Sequence, residues 1–242
     1  PLPPETLSTL QNVFDHPPSD QTVRLLRDYT QRILDELLSA SMDTVTSKRL
    51  VVGMNMPDQR DTYGFTYHND PGKRIFLTER VFTLPWDVSI YATPPAIELL
   101  AHQQATTLIH ELSHQVLRTV DIAYVEAAAP FPDQISQHTR GGRIAYQTIL
   151  GYKQNGLSIN TPAQALFRTF DTSSQTWRDI RKKDGRALPA IFRLSKTNTL
   201  AAARTAFYSD PQVRTDLILA NADSLSLIIT NLGRRRFAGA AG

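Results

Sequence analysis

Apolar residues recur at near-helical spacing through Val23, Leu25, Leu26, Tyr29, Ile33, Leu37 and Leu38, and Ser19 with Asp20 can cap the segment, predicting an amphipathic packing helix from about residue 19 to 41. Residues 49–54, 64–67 and 73–82 instead read as strands. His68-Asn69-Asp70-Pro71-Gly72 between the last two favours a turn, so a small antiparallel sheet is expected. After Trp86–Tyr91, Thr93 can cap a long helix over about 94–118, with Pro94 and Pro95 at its first positions. From 127 to 162, Pro130, Pro132, Gly141, Gly142, Gly151 and Gly156 break the pattern into loops around a short helix at 143–150. Later helices are predicted near 162–170, 174–182, 197–208 and 211–231, the last ended by Gly233, with 234–242 as a solvated, flexible basic tail. The chain thus reads as α+β and mainly helical, without internal repeats. One domain is expected over 1–233, its halves 1–118 and 119–233 closing on the long helix.

Composition narrows the chemistry more than the fold. At 242 residues, 41% hydrophobic and 20% charged, the chain is an ordinary globular sequence that buries roughly 70–75% of its unfolded surface without staples. It contains no cysteine, which excludes disulfides, thiol nucleophiles and thiolate metal sites together. Any metal must be held by His, Asp, Glu or carbonyl oxygen. The formal charge of +3, concentrated at Arg234–Arg236, gives a short charge run without interleaved aromatics, so a nucleic-acid partner is not implied. No apolar stretch approaches the roughly 18–20 residues that span a bilayer, and Pro1-Leu2-Pro3-Pro4 has no basic or apolar signal-like region. A start without Met is expected of a processed product or a domain excised from a larger protein.

One constellation carries chemistry. Residues 110–114 read His-Glu-Leu-Ser-His, placing His110 and His114 four apart on one helix face, spaced as two ligands of one zinc ion, with Glu111 beside them. Leu108, Ile109, Leu112, Val116 and Leu117 make this helix apolar enough to be buried, where two histidines and a glutamate need a partner. A catalytic zinc typically takes three protein ligands. His102 precedes His110 by eight residues, about 12 Å along a helix and out of reach. Glu126 is a candidate third ligand; so is Asp121, although on a continuing helix it would stand about 10.5 Å beyond His114. Asp121 can serve only if the helix ends near 117–119 and the chain folds back. The β-branched pair Thr119-Val120 is compatible with that ending, though no glycine marks it.

The segment Thr119-Val120-Asp121-Ile122-Ala123-Tyr124 resembles the Thr-x-Asp-x-x-Tyr core that follows His-Glu-x-x-His in the aspzincins, the deuterolysin and peptidyl-Lys metallopeptidase family. Asn221-Ala222-Asp223-Ser224 is similar to an Asn-Ala-Asp-Ser stretch near the end of that family's catalytic domain. Arg118 and Val125 stand where the family motif has glycines, and the disulfides of the fungal members have no counterpart. The resemblance implies a zincin-like fold with a long active-site helix, a small antiparallel or mixed sheet and a mainly helical second half. It implies His110, His114 and Asp121 as zinc ligands, Glu111 as general base and Tyr124 as oxyanion stabiliser. The expected activity is a zinc-dependent endopeptidase that hydrolyses a protein or peptide substrate through a zinc-activated water. A divergent bacterial branch, in a secreted or delivered toxin- or effector-type protein, is the expected setting.

Further expectations attach to this reading. The strand at 73–82 is the candidate cleft edge on which an extended substrate would pair. Asp223 is a candidate acceptor for the second ring nitrogen of a ligating histidine. Residues 134–170 contain no acidic side chain but hold Arg140, Arg143, Lys153 and Arg168, so a leaving-group wall built there would carry no strict preference for lysine. His68, His102 and His138 are expected to be ordinary surface or core residues. Two other readings remain open: a zincin with Glu126 as third ligand, and a non-catalytic zinc-containing toxin or effector binding domain.

Overall fold

A computed structural model describes residues 2–55, 62–83, 99–124, 135–153, 156–171, 174 and 176–240. The predicted helix start at Thr93-Pro94-Pro95, the segment Trp86–Tyr91, Val125 and Glu126 lie outside these residues. The architecture is α+β and mainly helical, with eight helices among the described residues. Helix α1 (Pro4–Phe14) precedes α2 (Asp20–Leu37), which starts as expected where the Ser19 hydroxyl accepts from Thr22 N–H at 3.1 Å.

Strands β1 (Leu50–Gly53), β2 (Gly64–Thr66) and β3 (Ile75–Thr78) form one sheet in the order β1-β3-β2. It is mixed rather than antiparallel: β2 pairs antiparallel with β3, whereas β1 runs parallel along the other side. The β2–β3 turn is fixed by the Asp70 carboxylate, which accepts from Gly72 N–H and Arg74 N–H and from the Arg74 guanidinium. The predicted strand 73–82 is shortened because Thr78 caps a 3-10 turn over Glu79–Phe82. That turn is held by the Gln103 amide, which donates to the carbonyls of Arg80 and Thr83 at 2.7 and 3.1 Å.

Helix α3 (Leu99–Val116) runs through the middle, against α2, β2 and α8 (Ala222–Ala240). Its inward face is unusually polar for a core helix: His102, Gln103, Thr106, Thr107, His110, Glu111 and Ser113 are all buried. Helix α4 (Arg140–Lys153) extends the predicted 143–150 helix on both sides. The helices expected at 162–170 and 174–182 are instead a hairpin of β4 (Arg168–Asp171) and β5 (Thr176–Asp179). Its β-branched and aromatic residues meet across the strands, Phe170 and Trp177 edge to face with ring centroids 5.6 Å apart, and that pairing outweighs the helical reading.

Helices α5 (Ala187–Ser195), α6 (Leu200–Ser209) and α7 (Pro211–Ala220) follow. The helix predicted over 211–231 is broken at Asn221, whose backbone leaves the helical region (φ −86°, ψ 119°) to form a parallel bridge with Val120. Gly233 does not end a helix. Helix α8 continues through it to Ala240, and Arg234 is buried, so this part of the expected basic tail is helical.

Candidate metal centre

Helix α3 ends at Val116, and the chain reverses where Arg118 takes a left-handed conformation (φ 61°). Arg118 occupies the position of the first motif glycine and adopts the conformation for which glycine is suited. The fold-back is tied by Thr119 N–H donating to the Ser113 carbonyl at 3.4 Å and by a 2.6 Å hydrogen bond between the Ser113 and Thr119 hydroxyls. A non-glycine residue in this region costs of order 1 kcal/mol or more. Arg118→Gly is therefore expected to stabilise the fold by about 1 kcal/mol, raising Tm by roughly 2–4 °C in a thermal melt.

The reversal brings Asp121 back over the last turn of the helix. His110 Nε2 and His114 Nε2 lie 3.1 and 3.2 Å from Asp121 Oδ1 and 3.1 Å from each other. The second ring nitrogens fix what these atoms carry. Nδ1 of His114 lies 2.9 Å from the Thr119 carbonyl, which can only accept, so in the neutral ring the proton sits on Nδ1 and Nε2 presents a lone pair. Nδ1 of His110 faces the fully buried Asp223 carboxylate at 3.5 Å, longer than a good hydrogen bond but on the side that favours the same neutral tautomer. Two imidazole lone pairs and a carboxylate oxygen thus converge on one point, an arrangement that repels itself unless a cation or a proton lies among them. A zinc tetrahedron with bonds of about 2.0–2.1 Å has edges of about 3.3–3.4 Å, near the three observed separations. The donor set fits a metal ion, and His110, His114 and Asp121 are the one such group among the described residues.

Electrostatics agree with the geometry. Burial opposes charge on the His110 ring, but the carboxylates of Asp121, Asp223 and Glu111 outweigh it and push its pKa well above the usual imidazole value. Burial alone would raise the Asp121 pKa. The two imidazoles reverse that and hold the carboxyl well below its usual range. Glu111 is buried, Oε2 has no hydrogen-bond partner among the described residues, and burial raises its pKa despite the neighbouring histidines. The Tyr124 ring stacks on His110 with centroids 6.2 Å apart; although the residue as a whole is exposed, desolvation at the site end of the ring and the nearby Asp121, Glu111 and Asp223 carboxylates raise the pKa of its phenol.

The loop carrying Asp121 is held by a residue to which sequence reasoning gave no role. Asn221 Oδ1 accepts from Ile122 N–H and Ala123 N–H at 2.9 and 3.1 Å, while Nδ2 donates to the Ala123 carbonyl and the Ser224 hydroxyl at 2.9 and 2.8 Å. The same junction supplies the bridge, with Val120 N–H donating to Ala220 and Ala222 N–H to Val120, and aims Asp223 at His110. The signal was present in the Asn-Ala-Asp-Ser stretch, whose asparagine breaks a helix. Removing the side chain strands several buried backbone groups, each costing about 1–3 kcal/mol. Asn221→Ala should lower stability by about 3 kcal/mol and Tm by roughly 6–12 °C in a calorimetric scan.

Strand β2 lies closest to the helix: a Cβ at Gly64 would come within 3.1 Å of Thr107 Cγ2 and 3.4 Å of Glu111 Cγ. The cleft-edge expectation for 73–82 is corrected accordingly, because β3 is the central strand with both sides paired, and β2 is the edge strand beside the site. A cleft of about 550 Å³ opens next to His114 and Asp121. Among the described residues it is lined from 66–73, 114–121 and 184–187. His138 precedes α4, exposed, and Tyr146 lies on α4; neither lines this cleft, and His102 is buried on α3 two turns before His110. No protein-family model, curated protein or solved structure matches the chain.

Proposed function

We propose that this chain is a zinc-dependent endopeptidase of zincin-like, aspzincin-type design. The observation that carries the reading is the convergence of His110 Nε2, His114 Nε2 and Asp121 Oδ1 within 3.1–3.2 Å, with the His114 ring oriented from behind by the Thr119 carbonyl. When bound there, zinc supplies Lewis acidity, polarising the scissile carbonyl and making water a stronger acid. Glu111, one residue from a ligand and with a free carboxylate oxygen, takes a proton from water and passes it to the leaving amine. Its raised pKa improves it for both halves of that task. Tyr124, held protonated beside Asp121, donates to the carbonyl oxygen as negative charge builds. The side of β2 away from β3, which pairs with no strand among the described residues, offers main-chain hydrogen bonds to an extended peptide. No helix among the described residues is long and apolar enough to cross a membrane.

The test pairs metal analysis with proteolysis. Dialysed protein should retain one zinc per chain and cleave denatured casein, and a chelator should abolish cleavage until zinc is restored. One tightly held zinc without hydrolysis of casein or of a peptide library would overturn the enzymatic reading and leave a metal-binding domain.

A further inference from the structure

The cleft beside the metal centre carries charges that no step above uses. Its lining includes His68, Asp70, Lys73, Arg118, Asp184 and Arg186. The two carboxylates are already engaged. Asp70 is gripped by the Arg74 guanidinium at 2.8 and 2.9 Å, and Asp184 by Arg178 Nη1 and Nη2 at 2.6 and 2.8 Å, with Arg181 N–H adding a third bond at 2.7 Å. Lys73, Arg118 and Arg186 form no ion pair among the described residues, and the remaining lining carboxylate, Asp121, faces His110 and His114, so this wall of the cleft presents three cations with no carboxylate of their own. Arg186 and Arg118 stand close enough to His68 to push its imidazole pKa down, as such a surplus requires.

Position makes this surplus specific. Arg186 Nη2 reaches the Thr119 carbonyl at 3.5 Å, the same oxygen that orients His114, and Arg118 is the residue before Thr119. Both guanidinium-bearing residues are therefore tied to the segment that ends at Asp121. Arg118 is moreover kept in a left-handed conformation that glycine would adopt with less strain, and strain retained beside a reactive site points to a use for the side chain.

Resting on the endopeptidase reading, the geometry points to a carboxylate-binding subsite formed by Arg118 and Arg186, selecting substrates with an acidic group next to the scissile bond. Arginine forks suit carboxylates by paired, charge-assisted hydrogen bonds, and a bound cation nearby adds to the attraction. The group recognised is a carboxylate, carried either by an Asp or Glu side chain or by the substrate's C-terminus. A lysine side chain entering the same cleft meets like charge.

The test uses quenched peptides, N-acetylated and C-amidated, identical except for Glu, Gln or Lys on either side of the scissile bond. The zinc-loaded protein should show kcat/KM about tenfold higher for Glu than Gln at one of the two positions, with Lys lowest, the gap narrowing at 0.5 M salt. In the doubly substituted Arg118→Gln, Arg186→Gln protein the Glu-to-Gln ratio should approach one with zinc content kept. Arg186→Glu should shift the preference toward Lys, a gain that misfolding cannot produce. A parallel series of Gln peptides with free C-termini separates the two sources of the carboxylate, since a preference confined to free acids assigns the subsite to the chain terminus. Hydrolysis without acidic preference in either series overturns the subsite and leaves the endopeptidase reading intact. If nothing is hydrolysed, fluorescence anisotropy of labelled peptides on zinc-loaded Glu111→Gln protein decides: tighter binding of the Glu peptide supports the subsite, and equal binding overturns it.

Discussion

Glu111→Gln should retain one zinc per chain yet lose about 10²–10⁴-fold in the rate of casein hydrolysis, the usual contribution of a positioned acid–base group. The substitution is nearly isosteric. Glu111 is buried between α3 and β2, where a shorter side chain would open a void beside Gly64, but glutamine fills the same volume. Only the ability to accept and return a proton is lost. Oε2 has no hydrogen-bond partner among the described residues, so the amide breaks no bond seen at that atom, and Tm should change little. A stopped assay with parallel metal analysis reads both quantities. Hydrolysis at the wild-type rate would remove Glu111 from the mechanism, whatever the metal does.

Asp121→Ala should act in the opposite order, losing the metal first and activity as a result. Zinc affinity is expected to fall by more than about 100-fold, beyond the usual effect of losing a residue that only supports a ligand. Unfolding would not account for this, because the loop at 119–123 is held by Asn221 and by the Val120 bridge rather than by the Asp121 carboxylate. Competition titration against a chromogenic chelator measures the affinity, and circular dichroism checks the fold. Zinc content unchanged in this variant would move the third-ligand role to Glu126.

Local signals predicted the parts of the fold that local chemistry builds. The Ser19 cap set the start of α2, and Asp70 and Gly72 marked the turn between β2 and β3. The three ligand-type residues were legible for the same reason: His110 and His114 share a helix face by periodicity, and Asp121 could join them once the helix was required to end. What failed were features decided by distant contacts. The helix expected at 211–231 breaks because Asn221 gives up a helical turn to clamp residues 120–123, nearly a hundred positions earlier. The hairpin at 168–179 depends on Phe170 meeting Trp177, a pairing that neither segment reveals alone. Likewise, 73–82 is a plausible cleft edge from its strand pattern alone, whereas the position of β3 between β1 and β2 follows from a sheet order that the pattern does not reveal. Arg118 is the subtler case: no glycine marked the helix end, and an arginine adopts the left-handed conformation instead.

The Val120–Asn221 bridge has a consequence for how the protein comes into being. The groups that could hold a metal lie within twelve residues of one another, but the clamp on their loop and the carboxylate behind His110 come from 221–223. Closing so long a loop costs entropy that is recovered only when the last helices dock. During synthesis, the segment from 99 to 124 can therefore emerge, coil and even turn back without presenting an ordered coordination sphere. Competence would arise in one late step, as α7 and α8 come to rest against α3. A nascent or truncated chain that stops short of Asn221 is then expected to be inert toward the polypeptides around it.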